Sequence, residues 1–166
     1  QDLHNFLHTG PYRFFIVDEK NTTAVQQLMS SVRLPLPILE GLDYFKKNDL
    51  CTYRHILTVF ALSCLLAVDL GEDRRKVISG ASAGPLHDFG KISVPLEILQ
   101  KEKPLSRSEP SDLEQHTVAG FILLSYYLDD PGGTAALVAR DHHERRDGTG
   151  YPRGVRLRDR LVEIVT

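Results

Sequence analysis

Apolar residues recur at helical spacing along most of the chain. The clearest series runs from about Cys51 to Leu70, where a broad apolar stripe predicts a long helix that Gly71 ends. A shorter series follows Pro37, a residue that the first turn of a helix accepts, and it continues to Phe45. Both series predict helices that bury one face against the rest of the protein.

Capping residues and helix breakers predict the remaining elements. Ser, Thr, Asp and Asn cap helices because their side chains accept a hydrogen bond from an unpaired backbone N–H of the first turn. The predicted elements are a β-prone run at Tyr12–Val17, helices capped by Asn21–Thr23 and by Asp73, a short helix from Pro95 to Gln100, a helix opened by the capping box of Ser106 and Glu109, a helix capped by Thr134 and a last helix capped by Asp159. Since strands do not alternate with helices, the predicted fold class is all-α, a helical bundle.

The chain is long enough for one domain of ordinary size. Its 166 residues are 42% hydrophobic and 25% charged, which is typical of a globular protein. Pro35 separates an N-terminal segment, residues 1–34, from a helical domain at residues 35–166. The segment can be interpreted as the end of a preceding domain. The chain ends at Thr166 within an apolar-periodic stretch, so the domain is expected to be truncated at its C-terminus.

Charge and cysteine content limit the classes of partner and compartment. A net charge of -2 predicts no general affinity for polyanions such as DNA. Cys51 and Cys64 lie in one predicted helix, on different levels of it, so we expect free thiols in a reducing compartment, the cytoplasm. No apolar run reaches the length of a membrane span.

A short turn combines three kinds of chemistry. His87 and Asp88 are adjacent and are followed by Gly90 and Lys91. At a helix end, where the backbone turns, two adjacent side chains can converge on one centre. Asp88 can then bridge two metal ions, and Lys91 can hold a phosphate oxygen. The dipeptide alone is common by chance, so the prediction depends on other histidines.

Four further histidines can serve this turn. His55 lies near the start of the long helix, His116 lies on an apolar helix face, and His142 and His143 end another helix. His116 alone also fits a hydrogen-bonded core histidine, and His55 alone fits a surface residue. Together with a carboxylate, these nitrogens suit iron, manganese or zinc. Two such ions can clamp a phosphodiester and lower the pKa of a water between them.

The loop from Arg145 to Pro152 is predicted to be rigid and to lie in a positively charged stretch of the chain. Gly148, Gly150 and Pro152 specify a fixed turn, because glycine permits backbone angles that a Cβ penalises. Between residues 140 and 160, seven arginines stand against four acidic residues. This excess suits a phosphate-bearing ligand, although charge alone also fits a solvated loop. Tyr151 can stack on a base or pack against the bundle.

These motifs resemble those of the HD-GYP family, bacterial members of the HD superfamily of metal-dependent phosphohydrolases. The motifs that carry the resemblance are Leu86–Pro95, His142–Arg145 and Asp147–Pro152. The resemblance covers about residues 50–166. It implies a phosphodiesterase that hydrolyses the second messenger cyclic di-GMP to linear pGpG, to GMP or to both.

The resemblance also implies a role for each site residue. It places His55, His87 and Asp88 on one metal ion, and Asp88, His116, His142 and His143 on a second. Asp88 and Lys91 are the expected catalytic residues. Together with the local charge, it gives the expected substrate-binding residues as Lys91, Arg145, Arg146, Gly150, Tyr151 and Pro152. Because the ligands are nitrogen and carboxylate with no thiolate, iron or manganese is favoured over zinc.

The sequence departs from the family pattern at three positions. The family usually supplies one more Asp ligand after the loop, which falls beyond Thr166. Some members hold a third metal with a Glu one turn before the first histidine, and Cys51 occupies that position here. Two metals are therefore expected. His116 is followed by Thr117, where the family usually has proline.

Two alternative functions stay open at this point. One is a degenerate domain that binds the dinucleotide or a cyclase partner without hydrolysis. The other is a phosphohydrolase that acts on another nucleotide or a different cyclic dinucleotide. The candidate partners are cyclic di-GMP, a GGDEF-type cyclase domain, which the resemblance places at the 145–152 loop, and a second copy of the chain.

Overall fold

The computed structural model describes residues 23, 26–28, 30–69, 83–102, 104, 106, 109–156 and 162. Several predicted elements lie outside these residues. They are the strand at Tyr12–Val17, most of the helix that follows Asn21, the helix capped by Asp73 and the helix capped by Asp159.

Two consecutive helices form one side of the protein. Helix α1 spans Leu36–Asn48 and helix α2 spans Leu50–Asp69, as the two apolar series predict. Pro37 lies in the first turn of α1, and Lys46 and Lys47 lie in its last turn, where positive charge complements the helix dipole. Within α1 the prediction is wrong for Leu39, which belongs to the apolar series but is 48% exposed.

Two short 3₁₀ helices flank the His87–Asp88 pair. They span Gly84–Leu86 and Phe89–Ser93. The first contains Pro85, which lacks a backbone donor and favours a tight turn over a longer helix. Phe89 anchors the second helix, since its buried ring lies against Gly41 of α1, where a Cβ would come within 2.5 Å of it.

The next two helices are short and peripheral. Helix α3 spans Leu96–Leu99, close to the helix predicted after Pro95, and α4 spans Glu109–Glu114. Half of the predicted capping box forms, because the Glu109 carboxylate accepts the backbone N–H of Ser106. The prediction of one continuous helix from this point is wrong, since a turn at Gln115 separates α4 from the next helix.

Helices α5 and α6 complete the described bundle. They span His116–Tyr127 and Thr134–Asp141, and they pack against each other. Thr134 was predicted as the cap of α6, but the N-cap is Gly133, whose carbonyl accepts the N–H of Leu137 at 3.1 Å. The extended backbone of Gly133 therefore begins the helix one residue earlier than the Thr side chain suggests.

The main apolar core lies where α1, the 3₁₀ helices, α5 and α6 meet. Its buried members are Ile38, Leu86, Phe89, Leu124, Ala136 and Ala139. Full burial of a large apolar side chain contributes about 1.5–3 kcal/mol. Because Leu86 and Phe89 flank His87 and Asp88, the same packing that stabilises the bundle fixes the turn between them.

The described residues form helices and turns without strands, so the predicted all-α class is confirmed. The backbone of the turn after Asp88 lies directly against that of α5. A Cβ on Gly90 would collide with the backbone carbonyl of His116 and the backbone of Gly120.

Among the described residues, no helix combines the length and apolar character that a membrane crossing requires.

Candidate metal centre and adjoining loop

Asp88 lies at the centre of the histidines. Its Oδ2 atom is 3.3 Å from His55 Nε2 and 3.2 Å from His87 Nε2. Its Oδ1 atom is 3.3 Å from His116 Nε2 and 3.6 Å from His142 Nε2. The carboxylate thus presents one oxygen to each of two pairs of imidazoles, although His87 and Asp88 are adjacent in the chain.

The structure brings all six sequence-predicted ligands together in two groups. His55, His87 and Asp88 form one group, and Asp88, His116, His142 and His143 form the other. Within each group the candidate ligand atoms lie within 4.8 Å of one another. We call these five histidines around Asp88 the histidine cluster. His55 is its most exposed member, with half of its side chain accessible, whereas His87, His116 and His142 are buried.

Backbone carbonyls orient three of the rings. The Nδ1 atom of His87 lies 2.7 Å from the Gly84 carbonyl, that of His116 lies 2.6 Å from Leu113, and that of His142 lies 3.0 Å from Ala139. A carbonyl only accepts, so each Nδ1–H donates, and a neutral ring then carries its lone pair on Nε2. All three Nε2 atoms face Asp88.

This arrangement fits a cation. The Nε2 atoms of His87 and His55 are 3.2 Å apart, and those of His116 and His142 are 3.3 Å apart. The Oδ1 atom of Asp88 is buried and has no hydrogen-bond partner. Converging lone pairs and an unsatisfied buried carboxylate oxygen are unfavourable alone, and a shared divalent ion satisfies both. The donor set therefore fits metal ions held on both sides of Asp88.

The pKa shifts of Asp88, His55, His142 and His143 agree with this fit. Burial works to raise the pKa of Asp88, but His116, His142 and His87 hold that pKa well below its usual range. Burial lowers the pKa of His142 and His55 against the opposing effect of Asp88, and burial with neighbouring histidines lowers the pKa of His143 to about 3. An ionised carboxylate and neutral imidazoles are the forms that bind metal.

Lys91 lies at the edge of the cluster. Its Nζ atom is 2.7 Å from Asp88 Oδ2, and the side chain keeps 20% of its surface exposed. The 3₁₀ helix Phe89–Ser93 places it three residues beyond Asp88, on the same side of the turn. The only cation that contacts Asp88 within the described residues is therefore also accessible to a ligand.

The 145–152 loop folds back onto the end of α6. Gly148 has a φ of +81°, which confirms the predicted need for glycine there. The same prediction is wrong for Gly150, whose φ is not positive. Glycine is required there because a Cβ would collide with the His143 carbonyl and approach Arg145 N and Glu144 Cα at 2.6 Å. The backbone of the loop thus rests directly on the residues that follow α6.

Tyr151 packs against the histidine cluster. Its ring stacks on His143 with centroids 4.6 Å apart and planes 18° apart, and its N–H donates to the His143 carbonyl at 3.2 Å. Burial, with Glu114 and Asp88 nearby, raises the pKa of Tyr151 to about 12. Pro152 follows through a cis peptide bond. One face of the Tyr151 ring is therefore used by His143, and the ring remains half-buried.

Two buried carboxylates hold the far end of the loop. Glu144 accepts the backbone N–H of Arg153 at 2.7 Å and that of Val155 at 3.0 Å. Asp141 accepts hydrogen bonds from Arg140 Nε and Nη2, each at 2.8 Å, and from Arg153 Nη2 at 2.9 Å. The residue pattern along the chain predicts no role for either carboxylate. The signal that could have indicated a role is the position of Glu144, an acidic residue that follows two candidate ligands and does not precede a helix that it could cap.

Two adjoining cavities open beside the cluster. The first has a volume of about 180 Å³ and is lined by His55, Val59, His87, Asp88, Lys91, His142 and His143. The second has a volume of about 340 Å³ and is lined by His142, His143, Glu144, Arg145, Thr149, Gly150 and Tyr151. His142 and His143 border both, so a ligand at the cluster can extend under the loop.

The predicted basic residues lie at the rim of this site. Arg145 is exposed, with its Nε atom 3.8 Å from Asp147, and it lines the second cavity. Arg146 is exposed as well. Pro152 is half-buried beside Tyr151. The loop residues thus adjoin the cluster, while Arg146 is not among the residues that line either cavity.

Comparisons with known proteins bear on this geometry. Residues 30–159 match a family model described as "HD domain". The chain is 40% identical over 124 residues to a cyclic di-GMP phosphodiesterase of Thermotoga maritima, covering 75% of this chain and 33% of that protein. It is 40% identical over 91 residues to the cyclic di-GMP phosphodiesterase response regulator RpfG of Xanthomonas campestris, covering 55% of this chain and 24% of that protein.

A third relative carries a different substrate name. The chain is 31% identical over 147 residues to 3'3'-cGAMP-specific phosphodiesterase 1 of Vibrio cholerae, covering 84% of this chain and 32% of that protein. The chain therefore spans a third or less of the length of these three relatives.

Proposed function

We propose that this chain, which belongs to the HD domain family, is a metal-dependent phosphodiesterase that hydrolyses cyclic di-GMP to linear pGpG, to GMP or to both. The resemblance to the HD-GYP family is confirmed by the family match and by the names of the relatives. The single observation that carries the proposal is Asp88, whose two oxygens face two separate groups of histidines. A bridging carboxylate between two nitrogen-rich groups suits a pair of metal ions acting on one phosphodiester.

The proposed ligands follow the two groups. His55, His87 and Asp88 would hold one ion, and Asp88, His116, His142 and His143 would hold the other. We propose iron or manganese, because the donors are nitrogen and carboxylate oxygen without thiolate. When bound, the two ions supply charge neutralisation for the phosphate and acidify a water molecule.

The residues of the chain supply binding and orientation. We propose that Lys91 holds a non-bridging phosphate oxygen, since its ammonium borders the first cavity and is partly exposed. Such a charge-assisted hydrogen bond fixes the phosphate and neutralises part of its charge. Asp88 and Lys91 are thus the proposed catalytic residues.

The second cavity is the proposed place for the rest of the dinucleotide. Arg145 borders it and is exposed, which supports a contact with phosphate, and Arg146 adds positive charge nearby. Gly150 lets the loop backbone rest on the chain beneath it, and the Tyr151 ring lines the cavity, with half-buried Pro152 next to it in the chain. Gly150, Tyr151 and Pro152 are therefore proposed as substrate-binding residues together with the arginines and Lys91.

The wider setting is also a proposal. Residues 35–166 are taken as the catalytic domain and residues 1–34 as a separate N-terminal segment. The proposed compartment is the cytoplasm, supported by the free thiols of Cys51 and Cys64. A GGDEF-type cyclase domain and a second copy of the chain are the proposed protein partners, and co-sedimentation of the intact protein with each would test them.

A second substrate has specific support. Some relatives are named 3'3'-cGAMP-specific phosphodiesterases, and one of them covers 84% of this chain. 3'3'-cGAMP is therefore the competing substrate. A domain that binds a dinucleotide without hydrolysis is the remaining alternative, and turnover separates it from the enzyme.

Elemental analysis and a substrate panel test the proposal together. Intact protein purified without chelator is expected to contain close to two metal ions per chain and to hydrolyse cyclic di-GMP faster than 3'3'-cGAMP or linear pGpG. Folded protein that consistently lacks metal would contradict the enzyme assignment. Metal-loaded protein that binds cyclic di-GMP without turnover would instead establish the binding domain, and a preference for 3'3'-cGAMP would change the substrate.

A further inference from the structure

The carboxylate of Glu144 has a role that the proposed chemistry does not use. The residue is 2% exposed, and its two oxygens accept the backbone N–H groups of Arg153 and Val155. We propose that Glu144 is a positioning residue that fixes the exit of the 145–152 loop and so keeps the Tyr151 ring stacked on His143. The inference rests on the proposed function only for the identity of the substrate.

A carboxylate is suited to this task for a geometric reason. Oε1 lies 2.7 Å from Arg153 N, and Oε2 lies 3.0 Å from Val155 N, so each oxygen has its own donor. Two acceptors on one rigid planar group hold two backbone positions at a fixed separation, and charge strengthens both bonds. A glutamine would turn an NH₂ group toward one of the two donors and keep only one bond.

The other end of the loop is held by the same short segment. The Glu144 N–H donates to the Asp141 carbonyl at 2.8 Å, and Gly150 lies against the His143 carbonyl. Arg153 reaches Asp141 Oδ2 at 2.9 Å with its guanidinium. Both ends of the loop are thus bound to residues 141–144, and Tyr151 lies between the two anchors. When the exit is loosened, Tyr151 is held only by its own N–H bond to the His143 carbonyl at 3.2 Å and by the ring stack.

The effect of such loosening is confined to one ring. His143 lies between His142 and Tyr151, with centroids 4.2 Å and 4.6 Å away. His142 is held independently through its Nδ1 bond to the Ala139 carbonyl. A shift of the loop therefore changes the wall of the second cavity without moving His142 or Asp88. The expected signature is weaker substrate binding with metal content retained.

The test compares Glu144→Gln with Asp49→Asn in the intact, metal-loaded protein. Asp49 is a matched control, because it is also a buried carboxylate that accepts a backbone N–H, that of Thr52 at 3.1 Å, and it lines neither cavity. Glu144→Gln is expected to raise KM for cyclic di-GMP roughly three- to tenfold, the effect of about one lost hydrogen bond. Its kcat and metal content should stay within twofold of wild type, and Asp49→Asn should lower thermal stability without changing KM.

A double variant tests whether Glu144 acts through Tyr151. Tyr151→Ala should raise KM, and adding Glu144→Gln to it should raise KM no further. An equal additional increase in the double variant would overturn the proposal. So would a Glu144→Gln protein with wild-type KM and a reduced melting temperature, because that is the behaviour of a purely stabilising residue.

A readout without substrate separates this inference from the proposed function. Hydrogen exchange of the peptide at residues 148–155 should accelerate in Glu144→Gln and not in Asp49→Asn. If the wild-type protein hydrolyses no cyclic dinucleotide, the proposed function fails, and accelerated exchange confined to this peptide still supports the positioning role. Unchanged exchange would refute that role whatever the activity.

Discussion

The histidine cluster and the 145–152 loop are held by different kinds of hydrogen bonds. In the cluster, three rings donate to carbonyls three residues earlier in the chain, so each is oriented by its own turn of backbone. In the loop, Glu144 reaches backbone donors nine and eleven residues later. The cluster is therefore built from local contacts around one shared carboxylate, while the loop depends on a few contacts across a longer stretch of chain.

This difference predicts how each region fails. Each of these histidines keeps its hydrogen bond to its own backbone carbonyl when another histidine is replaced. The cluster should therefore be sensitive mainly to the removal of Asp88 or to a change of the backbone beneath it. The loop should respond to changes at its anchors and leave the cluster intact.

Asp88→Asn should have the largest effect. The substitution removes the charge that both groups of histidines share, so both metals and turnover should be lost. The loss should exceed the roughly 10- to 100-fold that removal of an outer hydrogen-bond partner costs a metal site. Elemental analysis and a hydrolysis assay measure it. Asp147→Asn is the control, since that exposed carboxylate accepts the Thr149 N–H at 3.0 Å and hydroxyl at 2.7 Å, lies 3.8 Å from Arg145 Nε, and does not belong to the cluster. Equal metal loss in both variants would show that the regions are not separable.

Gly90→Ala should disrupt the cluster through the backbone. The added Cβ would collide with the His116 carbonyl and the backbone of Gly120, and neither can move as a flexible side chain does. Overpacking of this kind costs about 1–3 kcal/mol of unfolding free energy, which urea denaturation measures. Gly132→Ala is the matched control, because its Cβ would meet only Asp130 Oδ1 at 3.9 Å. Similar losses at both glycines would contradict the close approach.

Lys91→Ala should separate substrate binding from metal binding. Loss of one hydrogen bond to a charged group costs about 1.5–3 kcal/mol, so kcat/KM should fall roughly 10- to 150-fold while metal content stays near wild type. Lys101→Ala serves as the control, because Lys101 pairs with Glu109 and lines neither cavity. If Lys91→Ala loses metal as Asp88→Asn does, the lysine belongs to the metal centre rather than to the substrate site.

The last prediction concerns pH and distinguishes the two regions at opposite ends of the pH scale. The pKa of His143 is lowered from 6.5 to about 3, so the unfolded chain takes the proton first, and stability is lost as pH falls from about 6.5 toward 3. The pKa of Tyr151 is raised from 10.0 to about 12, so the unfolded chain loses its proton first, and stability is lost as pH rises from about 10 toward 12.

Urea denaturation of chelated protein across pH checks both signs. His143→Gln should flatten the acid slope only, and Tyr151→Phe should flatten the alkaline slope only. Burial also raises the pKa of Cys64 to about 12, so part of the alkaline slope should persist in Tyr151→Phe. If His143→Gln flattened the alkaline slope, or Tyr151→Phe the acid slope, the assignment of these slopes to His143 and Tyr151 would be wrong.

The sequence predicted the parts of the protein that follow from local chemistry. The bounds of α1 and α2 and the all-α class depend on residue types at short spacing. The six candidate ligands are spread from His55 to His143, and their grouping followed from the resemblance to the HD-GYP family. Glu144 was missed because its partners are backbone N–H groups, which every residue except proline carries and which leave no mark in the sequence. The close approach at Gly150 was missed for a related reason, since only the folded loop brings the His143 carbonyl beneath it.

The contact between Gly90 and Gly120 has a further consequence for how such a site can change. Here the main chains of the Asp88 turn and of α5 touch with no side chain between them, and a Cβ on Gly120 would lie 3.3 Å from Gly90 N. Because no side chain lies between the two backbones, no substitution of a side chain can change their separation by small steps. The contact between the two main chains therefore fixes the distance between the backbone positions of Asp88 and His116. Selection for a different metal can exchange the donor atoms, but it cannot change the distance between the positions of Asp88 and His116 in small steps.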